Sequence, residues 1–277
     1  MVYFNGSYID ATTGIVDVQN RAFKYGDAVF ESCLYTNGQA PLLSYNLARL
    51  FRGCAILQME IPPFWQVDFF NAILHELAVH HGLQTARIKI TVWRSGAGLY
   101  RPQKHTADLL IEIFPLDQAP FTMAARNYVV DVYREYPKLI HPVSACKTAN
   151  ALPYVLAALY AEKNALDDVF LINTESTLAD AISSNIWLLN GHTLTTTPEL
   201  NGGVRGTMQE WLCDHASDLG FNLQRKPIEP EEPLDAEAIF VTNAIQGLIP
   251  VTQYRQHTFE NKKPIQLLSD IRSLLFD

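Results

Sequence analysis

The chain has 277 residues, 48% of them apolar and 18% charged, which is the balance of a soluble globular protein with room for one large domain or two smaller ones. Its net charge of −8 excludes a general affinity for nucleic acid or anionic membrane and leaves small molecules as the expected partners, with room for a local basic pocket for one phosphate group. The four cysteines, Cys33, Cys54, Cys146 and Cys213, are far apart and form no C-x-x-C, so neither structural zinc nor a disulfide framework is expected and the thiols read as reduced and cytoplasmic. No signal peptide is visible at the N-terminus, and no apolar run approaches the length of a membrane span.

In chain order, residues 2–4 and 8–9 read as a hairpin about the turn Asn5-Gly6. Residues 46–59 carry Leu47, Leu50, Phe51, Cys54, Ile56 and Leu57 at helical spacing, and residues 67–81 form a second predicted helix. Alternation predicts strands at 87–93 and 109–114, separated by the Gly-rich loop Ser95-Gly96-Ala97-Gly98. The stretch Pro115-Leu116-Asp117-Gln118-Ala119-Pro120 breaks both periods, so a small domain is expected over 1–116, a linker over 117–123 and a larger domain over 124–277. The second half opens with a strand at 128–132. It continues with an Ala/Leu-rich helix at 149–164, buried strands at 169–172 and 186–189, and a helix at 206–219. Short strands at 239–242 and 248–251 and an amphipathic helix at 265–276 complete it. Helices and strands mix in both halves, which predicts an α/β or α+β class.

The segment from His75-Glu76 to His80 is one residue too long for a zincin helix, because both histidines would have to share one helical face, so no metal site is expected. Walker A, G-x-S-x-G and G-x-G-x-x-G patterns are absent.

Six separated motifs carry the chemistry. The first is Asp17, Arg21 and Tyr25-Gly26-Asp27-Ala28-Val29-Phe30-Glu31. The second is Asn46-Leu47-Ala48-Arg49-Leu50, and the third is Lys147-Thr148-Ala149-Asn150. The fourth runs from Ser176 through Asp180 to Asn185-Ile186. The fifth is Leu200-Asn201-Gly202-Gly203-Val204-Arg205, and the last is Thr242-Asn243-Ala244 followed by Pro250. Read singly, each has a bland alternative: Tyr25 and Phe30 as core residues, Arg49 as an ion pair, Lys147 as a solvated lysine, Asp180 as a loop cap and Gly203 as a helix-entry turn.

In their shared order these motifs resemble the class IV aminotransferase family, the fold-type IV pyridoxal-phosphate enzymes. That resemblance spans residues 4 to about 251. It implies a small α+β N-terminal domain, a larger pseudo-barrel C-terminal domain, a homodimer, and pyridoxal 5'-phosphate held as a Schiff base on Lys147. It further implies that Asp180 faces the pyridine nitrogen and that Asn150 bonds the cofactor's phenolic oxygen. Leu200 would rest on the ring. Arg49 and the backbone N–H groups of Gly203, Val204, Asn243 and Ala244 would hold the phosphate. Tyr25 and Phe30 would line the substrate pocket.

The sequence departs from the family pattern in three places. Asn46 stands for the usual histidine, Asp180 for the usual glutamate, and Val204 for a common hydroxyl residue. Arg94 and Arg101, which flank the Gly-rich loop, are candidates for a substrate carboxylate clamp. Asn243-Ala244 with Pro250 looks more like the 4-amino-4-deoxychorismate lyase branch, which releases pyruvate to give p-aminobenzoate for folate synthesis. An aminotransferase for D-amino or branched-chain amino acids and a non-catalytic binding protein stand as the alternatives.

Overall fold

Strand alternation is strongest in Thr85–Arg94, where Ala86, Ile88, Ile90 and Val92 are fully buried and fall on one face. The structure, a computed structural model, describes residues 1–116, 119–122 and 127–276. Residues 117, 118 and 123 of the expected linker lie outside the described residues. The chain divides into two units, Met1–Pro120 with Cys146–Asn150, and Phe121–Ala145 with Ala151–Asp277. The expected division put residue 147 in the second domain, whereas the short segment around it belongs with the first unit.

The first unit contains β1 (Val2–Phe4), β2 (Ser7–Ile9), α1 (Arg21–Tyr25), β3 (Ala28–Thr36), α2 (Leu43–Ile56), α3 (Val67–His81), β4 (Thr85–Arg94) and β5 (Ala107–Pro115). Its five strands form an antiparallel sheet in the order β2-β1-β5-β4-β3. One face of the sheet is apolar: Val29, Cys33 and Tyr35 of β3, with Ile88 and Ile90 of β4, pack against Leu47 and Leu50 of α2 and Phe70 and Leu74 of α3. Each such buried leucine or phenylalanine contributes roughly 1.5–3 kcal/mol relative to exposure. Helix α3 ends at Gly82 in the left-handed conformation.

The strand β3 was not expected from the sequence. Its alternation is interrupted because Glu31 occupies the core-facing register between Val29 and Cys33.

The second unit contains β6 (Val129–Lys138), a 3-10 turn at Pro142–Ala145, α4 (Leu152–Lys163), β7 (Asp168–Asn173), β8 (Leu178–Ala181), β9 (Asn185–Asn190), β10 (Thr193–Thr196) and α5 (Thr207–His215). It continues with β11 (Asn222–Arg225), a 3-10 turn at Glu232–Asp235, β12 (Ala238–Asn243), β13 (Gly247–Val251), β14 (Gln253–Tyr254), β15 (His257–Thr258) and α6 (Lys262–Phe276). Two sheets result, ordered β11-β10-β9-β12-β13 and β15-β14-β6-β7-β8. Parallel pairing occurs at β10/β11, β14/β6 and β6/β7 and antiparallel pairing at the rest.

The run Asp168–Asn173 is buried along its whole length, and its two faces serve different cores. Phe170 and Ile172 meet Ile186, Leu188, Ile239 and Val241 between the two sheets. Val169 and Leu171 meet Ala157 and Ala161 of α4. Helix α4 starts at Leu152, three residues later than expected, with a proline in its first turn. The preceding segment is withheld from the helix because it pairs with β3.

At the start of β7, Asp168 is almost fully buried and accepts bonds from the Tyr128 hydroxyl and the Val169 and Ile182 N–H groups. Burial pushes its carboxyl up to about 6, against the pull of those donors. Its folded value thus lies above its unfolded value of about 3.9, so the native state binds more protons between the two and this contribution to stability falls as pH rises through that window. At about 1.4 kcal/mol per unit the loss is on the order of 3 kcal/mol. Urea unfolding of Asp168→Asn followed from about pH 4 to about pH 7 should show a flatter pH dependence than the unsubstituted protein. Identical slopes would refute the assignment.

Candidate active site

In the first unit the segment around Lys147 is laid against β3 as a short extra strand. The Phe30 N–H donates to the Lys147 carbonyl at 2.8 Å, the Ala149 N–H donates to the Ala28 carbonyl at 2.9 Å, and Val29 bridges Thr148. This pairing fixes the backbone of Lys147 while its side chain is half-buried, with Nζ 4.8 Å from the centre of the Phe30 ring. An aromatic face at that distance favours a nearby cation. Asn150 lies at the surface and its Nδ2 donates to the Gly26 carbonyl at 3.1 Å. Gly26 caps α1 with φ 63°, and a Cβ there would stand 2.7 Å from Asn150 Oδ1, so the turn and the amide are fitted to each other. Cys146 next to Lys147 is no nucleophile: burial pushes its thiol up, against the opposing pull of Arg52 and Arg49.

Two buried ion-pair clusters occupy arginines that the sequence offered to ligands. Arg49 of α2 meets Glu31 of β3 in a two-pronged pair, Nε to Oε1 and Nη2 to Oε2, both at 2.7 Å. Asn46 Nδ2 adds a bond to Oε2 at 2.8 Å. Glu31 is fully buried and Arg49 nearly so. The expected phosphate ligand is therefore engaged by an internal carboxylate.

Arg94 is more fully committed. Its five N–H donors meet Asp27, the carbonyls of Gln58 and Leu57, and His105, so the reading of Arg94 as a substrate clamp gives way to a role in the fold. Arg21 also binds Asp27, at 2.8 Å, and reaches the carbonyls of Leu99 and Tyr100, tying the Gly-rich loop to α1. Burial opposes the charge on Asp27, but Arg94 and Arg21 outweigh it and hold its carboxyl below the usual range. Arg101 is exposed. Tyr25 is half-buried beneath the Arg21 guanidinium, with its ring 5.6 Å from that of Tyr100.

In the second unit Asp180 of β8 is buried at the centre of a polar cluster. Its Oδ2 accepts Lys138 Nζ at 2.9 Å, the Tyr154 hydroxyl at 2.6 Å and the Val204 N–H at 2.9 Å, while Oδ1 accepts Lys138 Nζ at 3.2 Å. Lys138 also donates to the Tyr154 oxygen. Burial pulls the Lys138 ammonium below its ordinary range, and the attraction of Asp180 works against that pull. The Val204 N–H, expected on a phosphate, is thus turned to the carboxylate.

Gly203 lies where a Cβ would come 2.6 Å from the Ala179 carbonyl oxygen, so the chain passes the Asp180 strand too closely for any side chain. Leu200 is exposed. Asn243 closes the β12–β13 turn, its Oδ1 accepting the Ile245 and Gln246 N–H groups and its Nδ2 reaching Ser184 Oγ, and Ala244 is buried beside it. Lys138 and Tyr154 were not found from the sequence, since neither lies in a motif. Lys138 follows the exposed stretch Arg134-Glu135-Tyr136-Pro137, so nothing in the sequence signals its burial. Among the described residues no group of three or more His, Cys, Asp or Glu could hold a metal ion, and no helix is long and apolar enough to cross a membrane.

The family model for amino-transferase class IV matches residues 28–254. The chain belongs to that family. The chain is 23% identical to a putative branched-chain-amino-acid aminotransferase of Methanocaldococcus jannaschii, over all of this chain and 95% of that one. It is also 23% identical to an aminodeoxychorismate lyase of Bacillus subtilis, over all of this chain and 97% of that one. Among solved structures, a branched-chain aminotransferase from Thermoproteus uzoniensis with norvaline superposes with a TM-score of 0.88 at 20% identity, covering 99% of this chain and 94% of the other. The class IV fold of mixed helices and sheets is therefore that of this chain, and the chain is a pyridoxal-phosphate-dependent enzyme. Its side chains suit that cofactor in kind: a half-buried primary amine at Lys147 and a buried carboxylate at Asp180, with Gly203 letting the chain run close along the Asp180 strand ahead of α5.

Removing one member of a buried ion pair strands the other, at a cost of about 3–5 kcal/mol. Denaturant titration of Arg49→Met should therefore show a loss of that order, and Arg94→Met a smaller one, because Arg21 still pairs with Asp27. For Arg94→Met the KM of the folded protein should stay within about twofold. A tenfold rise in KM at unchanged stability would return Arg94 to the list of substrate ligands.

Proposed function

We propose that this class IV enzyme is a lyase that converts 4-amino-4-deoxychorismate to p-aminobenzoate and pyruvate. Asn243 carries this reading. The lyase-like order Thr242-Asn243-Ala244 puts a carboxamide where many aminotransferases of the family have alanine, and here that carboxamide ties the β12–β13 turn to Ser184. The bound cofactor supplies an electron-accepting ring for bond breaking at the amine-bearing carbon.

The protein's own groups do the rest in this proposal. Lys147 holds the cofactor, and its Nζ takes the proton from the amine-bearing carbon and returns one as pyruvate departs. Asp180 faces the ring nitrogen. The N–H groups of Gly203, Asn243 and Ala244 seat the phosphate. The Val204 N–H remains on Asp180, and Arg49, paired with Glu31, ties α2 to β3. Leu200 rests on the ring, Tyr25 and Phe30 line the substrate pocket, and the exposed Arg101 clamps a substrate carboxylate.

Purified protein supplied with aminodeoxychorismate should release p-aminobenzoate. No release, together with rapid amino transfer from a D-amino or branched-chain amino acid to 2-oxoglutarate, would replace the lyase by an aminotransferase. Lys147→Ala should lose the yellow absorbance of the lysine-linked cofactor and roughly a thousandfold or more in turnover. Arg101→Met should keep its stability within about 0.5 kcal/mol and raise KM about tenfold. An unchanged KM would remove Arg101 from the site.

A further inference from the structure

The cluster about Asp180 contains two residues that no motif names. Lys138 Nζ, on a side chain 7% exposed, contacts both carboxylate oxygens, at 2.9 and 3.2 Å. Tyr154 donates to Oδ2 at 2.6 Å and in turn accepts from Lys138. The Val204 N–H supplies a further donor to Oδ2. Aspartate stands here where the family pattern usually has glutamate, so the carboxylate hangs from an arm one methylene shorter. A carboxylate so enclosed stays charged only if a cation and hydrogen-bond donors accompany it, and otherwise takes up a proton. Three donors reaching it from β6, α4 and the turn before α5 also leave it little freedom to rotate.

We propose that Lys138, assisted by Tyr154, is a positioning residue that keeps Asp180 ionised and fixed in orientation, so that the shortened acid can hold the cofactor's ring nitrogen protonated. This rests on the assignment of Asp180 to that nitrogen. Lys138 touches neither cofactor nor substrate in this role and acts only through Asp180. The Lys138–Asp180 pair is neutral as a unit, which lets it persist in a site shielded from water. The contact of Lys138 with Tyr154 gives the ammonium a second acceptor while the hydroxyl proton stays directed at Asp180. At this position a conservative cation should serve and an apolar isostere should not.

The test uses holoenzyme loaded with pyridoxal phosphate labelled with ¹⁵N in the ring. The ring-nitrogen chemical shift should be that of a protonated pyridine in the unsubstituted protein and in Lys138→Arg. In Lys138→Met it should move toward the unprotonated value, with cofactor bound about tenfold more weakly. A Lys138→Met protein that keeps the protonated shift overturns the inference. The Lys138→Met/Asp180→Asn double variant leaves no buried charge unpaired, so it guards against simple misfolding. It should bind cofactor no more weakly than Asp180→Asn alone, and a further tenfold loss would count against action through Asp180. Unsubstituted protein that binds no cofactor would end the assignment of Asp180 itself. Normal binding with an indifferent Lys138→Met would end only the role given to Lys138.

Discussion

The first unit depends on a carboxylate that has no way out to water. Glu31 sits in the inward register of β3, between Val29 and Cys33, with α2 packed over that face. An unpaired charge there would be prohibitive, and the planar guanidinium of Arg49 meets it edge to edge. The geometry fixes where α2 lies along the strand, since a helix shifted by one residue would take Arg49 and Asn46 away from Glu31 together. Lys147 inherits this precision, because its backbone is bonded to the same strand one residue away from Glu31. The backbone of Lys147 is thus anchored to the strand that this ion pair locks against α2.

The second unit solves a similar problem at Asp180. There the carboxylate is again enclosed, and its partners come from three separate elements. The clusters differ in partner. Arginine offers a rigid fork suited to a permanent pair, whereas lysine is a compact charge that leaves space around the acid. A lysine beside Asp180 is consistent with an acid that has one more partner to meet.

Much of this was legible in the sequence because apolar periodicity and backbone geometry agree there. Helix α3 and strands β4, β7, β9, β12 and β13 were expected close to their observed limits, whereas α2 begins and ends three residues earlier than its apolar spacing suggested. Strand β3 was hidden by the inward-facing Glu31. Ala149 read as helix from its composition, but pairing with β3 claimed it, and the helix opens at Leu152. Site residues in contiguous motifs could be named. Their partners could not: Glu31 with Arg49, Asp27 with Arg94, and Lys138 with Asp180 are separated by 18 to 67 positions, and a lone arginine gives no sign of whether it will meet a ligand or a carboxylate.

The turn at Gly203 runs against the carbonyl of Ala179 with no gap into which it could relax. A loop already pressed into one shape would give up little disorder on meeting the phosphate proposed for it, so more of the attraction between N–H groups and oxygen would appear as affinity. A bulkier residue there would lift the loop away from the strand, and ligand binding would then have to supply the ordering that close packing now provides.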